Sequence, residues 1–131
     1  MASIFTRIIS GEIPCYKIAE NDDFLAFLDI MPVERGHTLV VPKKEVNYIF
    51  DMDDDALSGL HIFAKRVAKA VEAAVPCLRI GVAVVGLEVP HTHVHLIPLH
   101  SIGSLSFTKE RVQMSKEEFE ALAAAIKEHF E

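Results

Sequence analysis

The sequence predicts an α+β fold: a five-stranded, mostly antiparallel sheet with one long central helix, a short N-terminal helix and a C-terminal helix. Three observations carry that reading. Short β-prone runs follow one another across Asn/Asp-rich and Pro/Gly-rich breaks in the first third of the chain, the pattern of consecutive antiparallel strands. Two longer stretches, opening near Asp54 and Ser115, repeat apolar residues at helical spacing. The chain has 131 residues, 50% hydrophobic and 24% charged, enough for one core and too few for two. Residues 1–131 are therefore expected to form a single domain with no internal repeat or linker.

Each element follows from its own signal. Ile4, Phe5, Ile8 and Ile9 fall at helical spacing and stop at Gly11, with Pro14 soon after, which predicts a short helix. Tyr16 to Glu20, Phe24 to Ile30 and His37 to Pro42 read as three strands, separated by Asn21-Asp22-Asp23 and by the segment Met31 to Gly36. Asp51, Asp53, Asp54 and Asp55 gather before the apolar series Leu57, Leu60, Ala64, Val67, Val71 and Val75, and acids favour a helix N-terminus. A long helix to about Pro76 is expected. Arg79 to Val85 and His91 to Leu99 read as two further strands, the second containing Pro98, which cannot donate to a ladder. Ser115 and Glu118 form a capping box, and Phe119, Leu122, Ala123, Ile126 and Phe130 give the last helix one apolar face.

Composition narrows the partners. Thirteen basic and nineteen acidic residues leave a formal charge of −6, so neither nucleic acid nor an anionic membrane surface is expected. Charges interrupt every apolar run well before the roughly 18 residues a membrane span needs, and no signal peptide is expected. Cys15 and Cys77 form no CxxC, which indicates neither a disulfide framework nor a cysteine zinc site and suits a reducing, cytoplasmic setting.

The chemistry lies in the histidines. His91, His93 and His95 occupy every second position of Pro90 to Pro98, so on a strand the three rings share one face, while Thr92, Val94 and Leu96 share the other and can pack on a helix. Alternate residues stand ~7 Å apart, near enough for neighbouring rings to reach one phosphate group. With an ordinary pKa of about 6.5, histidine supplies both a nucleophilic and a protonated form near neutrality, and crowded rings couple their titrations. Three other readings fit the same row. The rings can be hydrogen-bonded structural groups, ligands of a metal ion in a metal-dependent hydrolase, or a phosphate-binding surface without turnover.

The segment His91-Thr92-His93-Val94-His95-Leu96-Ile97 resembles the HxHxHxx signature of the histidine triad (HIT) nucleotide hydrolases and transferases. Ser3 to Pro14, Phe24 to Ile30 and Gly36 to Lys44 resemble further family segments in the same order, so the likeness spans about residues 3–99 and leaves 100–131 as an extension carrying a helix. The resemblance implies hydrolysis of a nucleoside phosphoramidate or related purine nucleotide conjugate, through a nucleotidyl-histidine intermediate and without a cofactor. It casts His93 as the nucleophile, His95 and His37 as contacts to the phosphate and helpers of the leaving group, and His91 as the ring that orients the site. Asp29 is similar to the carboxylate that binds the ribose hydroxyls, and Phe5, Ile8, Phe27 and Ile30 to the apolar walls around the base. A homodimer joined through the long helix and the Arg79 to Val85 strand is implied as well. His95, where the transferase branch tends to carry glutamine, resembles the hydrolase branch.

Departures from the pattern are specific. Ser3 and Thr6 stand where relatives often carry zinc-binding cysteines, and Glu45 stands where a second histidine is common. Val84 to Glu88 replaces a stretch whose polar groups face the phosphate, and it puts Glu88 at the mouth of the expected site. A nucleotide-binding or interaction protein without turnover is the competing reading that this loop favours.

Overall fold

The computed structural model describes residues 2–131. Helix α1 (Ile4–Ile9) leads into strands β1 (Lys17–Glu20), β2 (Phe24–Leu28) and β3 (Thr38–Pro42); helix α2 (Asp54–Ala74), strands β4 (Arg79–Ala83) and β5 (Val94–Leu99) and helix α3 (Lys116–Glu128) follow. The sheet runs β1-β2-β3-β5-β4, with every neighbouring pair antiparallel. The predicted α+β class and five-strand count hold.

The helices start where their caps put them. Asp53 accepts a hydrogen bond from Ala56 N–H at the start of α2, and Ser115 with Glu118 closes a reciprocal capping box on α3. Each satisfies backbone donors that the first turn would otherwise leave open. The apolar faces of α2 (Leu60, Phe63, Val67, Val71) and α3 (Phe119, Leu122, Ile126) bury one side of the sheet through Ala26, Leu28, Val40, Val94 and Leu96. The other side carries a smaller cluster, Phe5, Leu25, Phe27, Leu39 and Val41, under α1. Strands β2 and β3 are consequently buried at every position.

Several strands end sooner than the sequence suggests, and each shortening matters to the site. β2 stops at Leu28, so Asp29 and Ile30 belong to a turn, in which Asp29 Oδ1 accepts from Met31 N–H at 2.8 Å. β4 stops at Ala83, leaving Val84 and Val85 to the following loop. β5 begins only at Val94, which leaves His91 and His93 ahead of the strand. The cause lies in its partner. β3 ends at Pro42, which has no N–H to continue the ladder, and Thr92 turns both its N–H and its hydroxyl to the Val46 carbonyl, each at 2.7 Å. Thr92, buried, is thus tied to the backbone at Val46.

The β2–β3 turn is pinned at Gly36, whose φ of +98° lies in the left-handed region that side chains with a Cβ avoid. A Cβ there would also stand 3.0 Å from both Pro98 Cγ and Val75 Cγ2. Gly36→Ala is expected to lower the unfolding free energy by about 1–3 kcal/mol. Urea titration checks this: the midpoint should fall while the slope m stays constant.

Candidate functional site

His95 pairs with Leu39 across the β3–β5 ladder, which puts its ring on the α1 side of the sheet, and Phe5 of that same cluster contacts both His91 and His93. The three alternating rings therefore share a face even though two of them precede the strand. The His93 and His95 ring centroids are 4.8 Å apart, and His37 lies 5.2 Å from His95 on the far side. All four rings are buried.

Hydrogen bonds fix the tautomers. His93 Nδ1 lies 2.7 Å from the backbone carbonyl of His91; a carbonyl only accepts, so the proton is on Nδ1 and the lone pair on Nε2. His37 Nδ1 accepts from Val33 N–H at 3.1 Å, hence its Nε2 carries the proton and donates to His95 Nδ1 at 2.9 Å. That leaves His95 with its own proton on Nε2. His91 Nε2 donates to the Pro42 carbonyl at 2.8 Å, and its Nδ1 accepts from Ser3 Oγ at 2.8 Å.

Burial reinforces the neutral state. Desolvation first, then the charge of His95 and Arg111, pushes His37 down to about 3; desolvation, His93 and Arg111 bring His95 to about 4. His91 is lowered by desolvation too, against smaller opposing pulls from the Pro42 carbonyl and Glu45. Asp29 moves the other way, raised chiefly by burial.

The rings His93 and His95 open into a cleft of about 650 Å³. Phe5, Ile8, Phe27, Asp29, Ile30 and Glu88 all line it, as the sequence reading expected. His91 and His37 do not line it; His37 lies behind His95 and is joined to it by the Nε2–Nδ1 hydrogen bond. The lining also includes three residues of the extension that the sequence reading left without a role, Phe107, Thr108 and Arg111. Phe107 packs edge-on against His95 at 4.7 Å, and Val112 N–H bonded to the Pro32 carbonyl ties the segment beside the β2–β3 turn. No periodicity marks these residues; long-range ties bring them in, Val112 to the Pro32 carbonyl, Arg111 to the Met31 carbonyl and Lys109 to Glu34.

Ser3, Thr6, Glu45 and His91 form a hydrogen-bonded knot at the base of α1. Glu45 Oε1 accepts from Ser3 N–H and Thr6 Oγ1, each at 2.7 Å, which holds its carboxyl at about 2. Ser3, Thr6 and Glu45 thus meet around the His91 ring as polar groups without thiolates.

The HIT domain family model matches residues 10–102. The chain belongs to the HIT family. It is 34% identical over 131 residues to an uncharacterized HIT-like protein of Borreliella burgdorferi, covering 94% of each chain. It is 36% identical over 99 residues to the adenosine 5'-monophosphoramidase of Schizosaccharomyces pombe, covering 75% of this chain and 74% of that one. The crystal structure of a HIT-like protein from Bartonella henselae, described as involved in cell-cycle regulation, superposes with a TM-score of 0.84 at 32% identity, over 98% of this chain and 96% of that one. The HIT fold thus extends past the family match into the segment that lines the cleft. No helix among the described residues is long and apolar enough to cross a membrane.

The geometry of this HIT site bears on metal binding. The row His91, His93 and His95 does not present a ligand set, because both His91 ring nitrogens are engaged by Ser3 and Pro42. Asp29, His37 and His95 are the group that converges among the described residues. There His37 Nε2 and His95 Nδ1 are 2.9 Å apart, a hydrogen-bond separation shorter than the roughly 3.3 Å edge of a tetrahedron with 2.0–2.1 Å zinc–nitrogen bonds. The pair is built around a proton.

The lowered histidines have a consequence for stability. A histidine whose folded pKa lies below its unfolded value of about 6.5 binds its proton more readily when unfolded, so its stabilising contribution is complete above that value and is lost as pH falls toward the folded pKa. With His37 at about 3 and His95 at about 4, unfolding free energy should decline between about pH 6.5 and 5. Each histidine adds up to ~1.4 kcal/mol per pH unit. Urea unfolding across that window, compared with His95→Asn, checks it: the variant should show the shallower slope.

Proposed function

We propose that this HIT chain is a nucleotide hydrolase that cleaves a nucleoside phosphoramidate, or a related purine nucleotide conjugate, at its α-phosphorus through a covalent intermediate on His93. The observation that carries the reading is the 2.7 Å bond from His93 Nδ1 to the His91 carbonyl, which leaves the Nε2 lone pair of a cleft-lining ring without its proton. Fixing a nucleophile's tautomer through the backbone removes the need to deprotonate it before attack.

In the first step the Nε2 lone pair forms a bond to phosphorus, and the P–N bond to the leaving amine breaks. The amine nitrogen departs with that electron pair and takes one proton from solvent. His95 offers its Nε2–H to the charge that develops on the phosphoryl group, with His37 holding it in that tautomer. In the second step water attacks the nucleotidyl-histidine, returns the electron pair to Nε2 and releases the nucleoside monophosphate and a proton. Side chains and water suffice, with no cofactor. Phe5, Ile8, Phe27 and Ile30 would flank the purine, and Asp29 would accept from the ribose hydroxyls with the oxygen its turn leaves free. The likeness to a yeast adenosine 5'-monophosphoramidase supports an adenine nucleotide substrate. The apolar and acidic wall Val85 to Val89 favours a second reading, nucleotide binding without turnover.

Turnover of adenosine phosphoramidates separates the two. Wild type should hydrolyse them and His93→Ala should lose kcat by about three orders of magnitude or more while AMP binding largely survives. Rapid quenching with radiolabelled substrate should trap label on His93. Wild-type kcat in the variant removes the nucleophile; intact substrate with wild type supports binding alone.

The same reading includes a homodimer. β4 is an edge strand whose outer backbone pairs with nothing among the described residues, Val82 on it is 55% exposed, and Ile62 on α2 is 63% exposed. An unprotected apolar edge is a template for pairing with a second copy. Light scattering should return about twice the 14.6 kDa chain mass, and Val82→Lys should shift it toward the monomer.

A further inference from the structure

A phosphate-holding cleft needs positive charge, and this one has little. Asp29 and Glu88 line it as acids, and the wall Val85 to Val89 adds no donor side chain. His95 is held neutral by its bond from His37, so it contributes a dipole rather than a charge. Among the described residues that line the cleft, Arg111 is the one arginine or lysine.

Arg111 is also positioned without being neutralised. One terminal nitrogen donates to the Met31 carbonyl at 2.9 Å and the other to the Phe107 carbonyl at 3.1 Å. Both partners are backbone oxygens. Among the described residues no carboxylate lies within 4.0 Å of the Arg111 guanidinium, whereas the neighbouring Lys109 is already paired with Glu34. A guanidinium has five N–H donors, so about three remain for a ligand. Its planar fork matches phosphate oxygens, and two carbonyls already fix its plane.

We propose that Arg111, carried into the cleft by the segment after β5, is the anion anchor of the site and binds the non-bridging oxygens of the substrate phosphate. It stands in for the donors that the Val85 to Val89 wall does not provide. The same charge reaches Asp29, His37 and His95 around the cleft. Phe107, whose carbonyl Arg111 holds, packs its ring on His95.

The proposal deepens the nucleotide reading and rests on it, so the test separates the two. Calorimetric titration of wild type, Arg111→Gln and Arg111→Lys with AMP, adenosine and inorganic phosphate gives the readout. Arg111→Gln should weaken AMP binding about 10- to 100-fold, as loss of charge-assisted hydrogen bonds does, and leave adenosine affinity unchanged. Arg111→Lys should recover part of the loss. AMP bound by the glutamine variant within about twofold of wild type overturns the anchor, and so does an equal loss for AMP and adenosine, which marks a merely structural role. If wild type binds inorganic phosphate through Arg111 but neither AMP nor adenosine, the anchor stands and the nucleotide reading falls.

Discussion

The proton shared by His37 and His95 is the constraint around which the site is organised. It requires two imidazoles to meet at 2.9 Å away from water, and it needs a donor on the far side of His37 so that the proton has one place to sit. Val33 N–H is that donor, and it is supplied by the turn between β2 and β3. The turn closes through Asp29 N–H on the His37 carbonyl at 3.0 Å, passes through Gly36 in a left-handed conformation and puts the Asp29 carboxylate 3.6 Å from the same ring. A turn geometry thus decides which nitrogen of His95 faces the cleft. Desolvation then keeps both rings neutral, and the Asp29 carboxylate beside His37 does not offset the burial of a cation.

Such an arrangement is costly to fold, and the sheet's two faces divide the work. The large apolar contact with α2 and α3 lies on one face, and the histidines, the cleft and the smaller cluster under α1 lie on the other. Stability is drawn mostly from the side with no chemistry. The strands that join the two faces, β2 and β3, are buried throughout, so displacing His95 or Phe27 would also disturb the backbone that carries Val40 and Leu28 in the main core. The rigid sheet thus holds the rings of His93 and His95 in fixed positions at the cleft.

What the sequence makes legible follows from range. Alternation put His91, His93 and His95 on one face and was correct, because side-chain direction is a local property of extended backbone. The same rule overstated the strand, since the end of β5 is decided by Pro42, 50 positions before Thr92, and by a tether to Val46. The caps of α2 and α3 are written in adjacent residues and could be read directly. Arg111 could not. Its importance arises from Met31 and Phe107 carbonyls and from a cleft whose other wall lies more than twenty positions away in sequence, and no local pattern encodes that meeting. His37 was legible as a partner but not as a buried one, because its burial depends on residues distant in sequence that pack around it, His95 and Phe107 among them.

Ser3 shows how few residues tie the parts together. Its side chain accepts from Thr6 N–H as the cap of α1, and the same oxygen meets His91 Nδ1, so one hydroxyl both starts the helix and fixes the ring. His91 in turn holds the Pro42 carbonyl where β3 ends and lends its own carbonyl to His93. A chain of hydrogen bonds therefore runs from Glu45 through Ser3 and His91 to His93. The polar knot holds that corner with a carboxylate, which makes the local field around the site more negative. A site of this kind keeps its histidines neutral by tautomer and burial and must obtain its positive charge from elsewhere in the fold, which is why the segment after β5 is part of the site rather than an appendage.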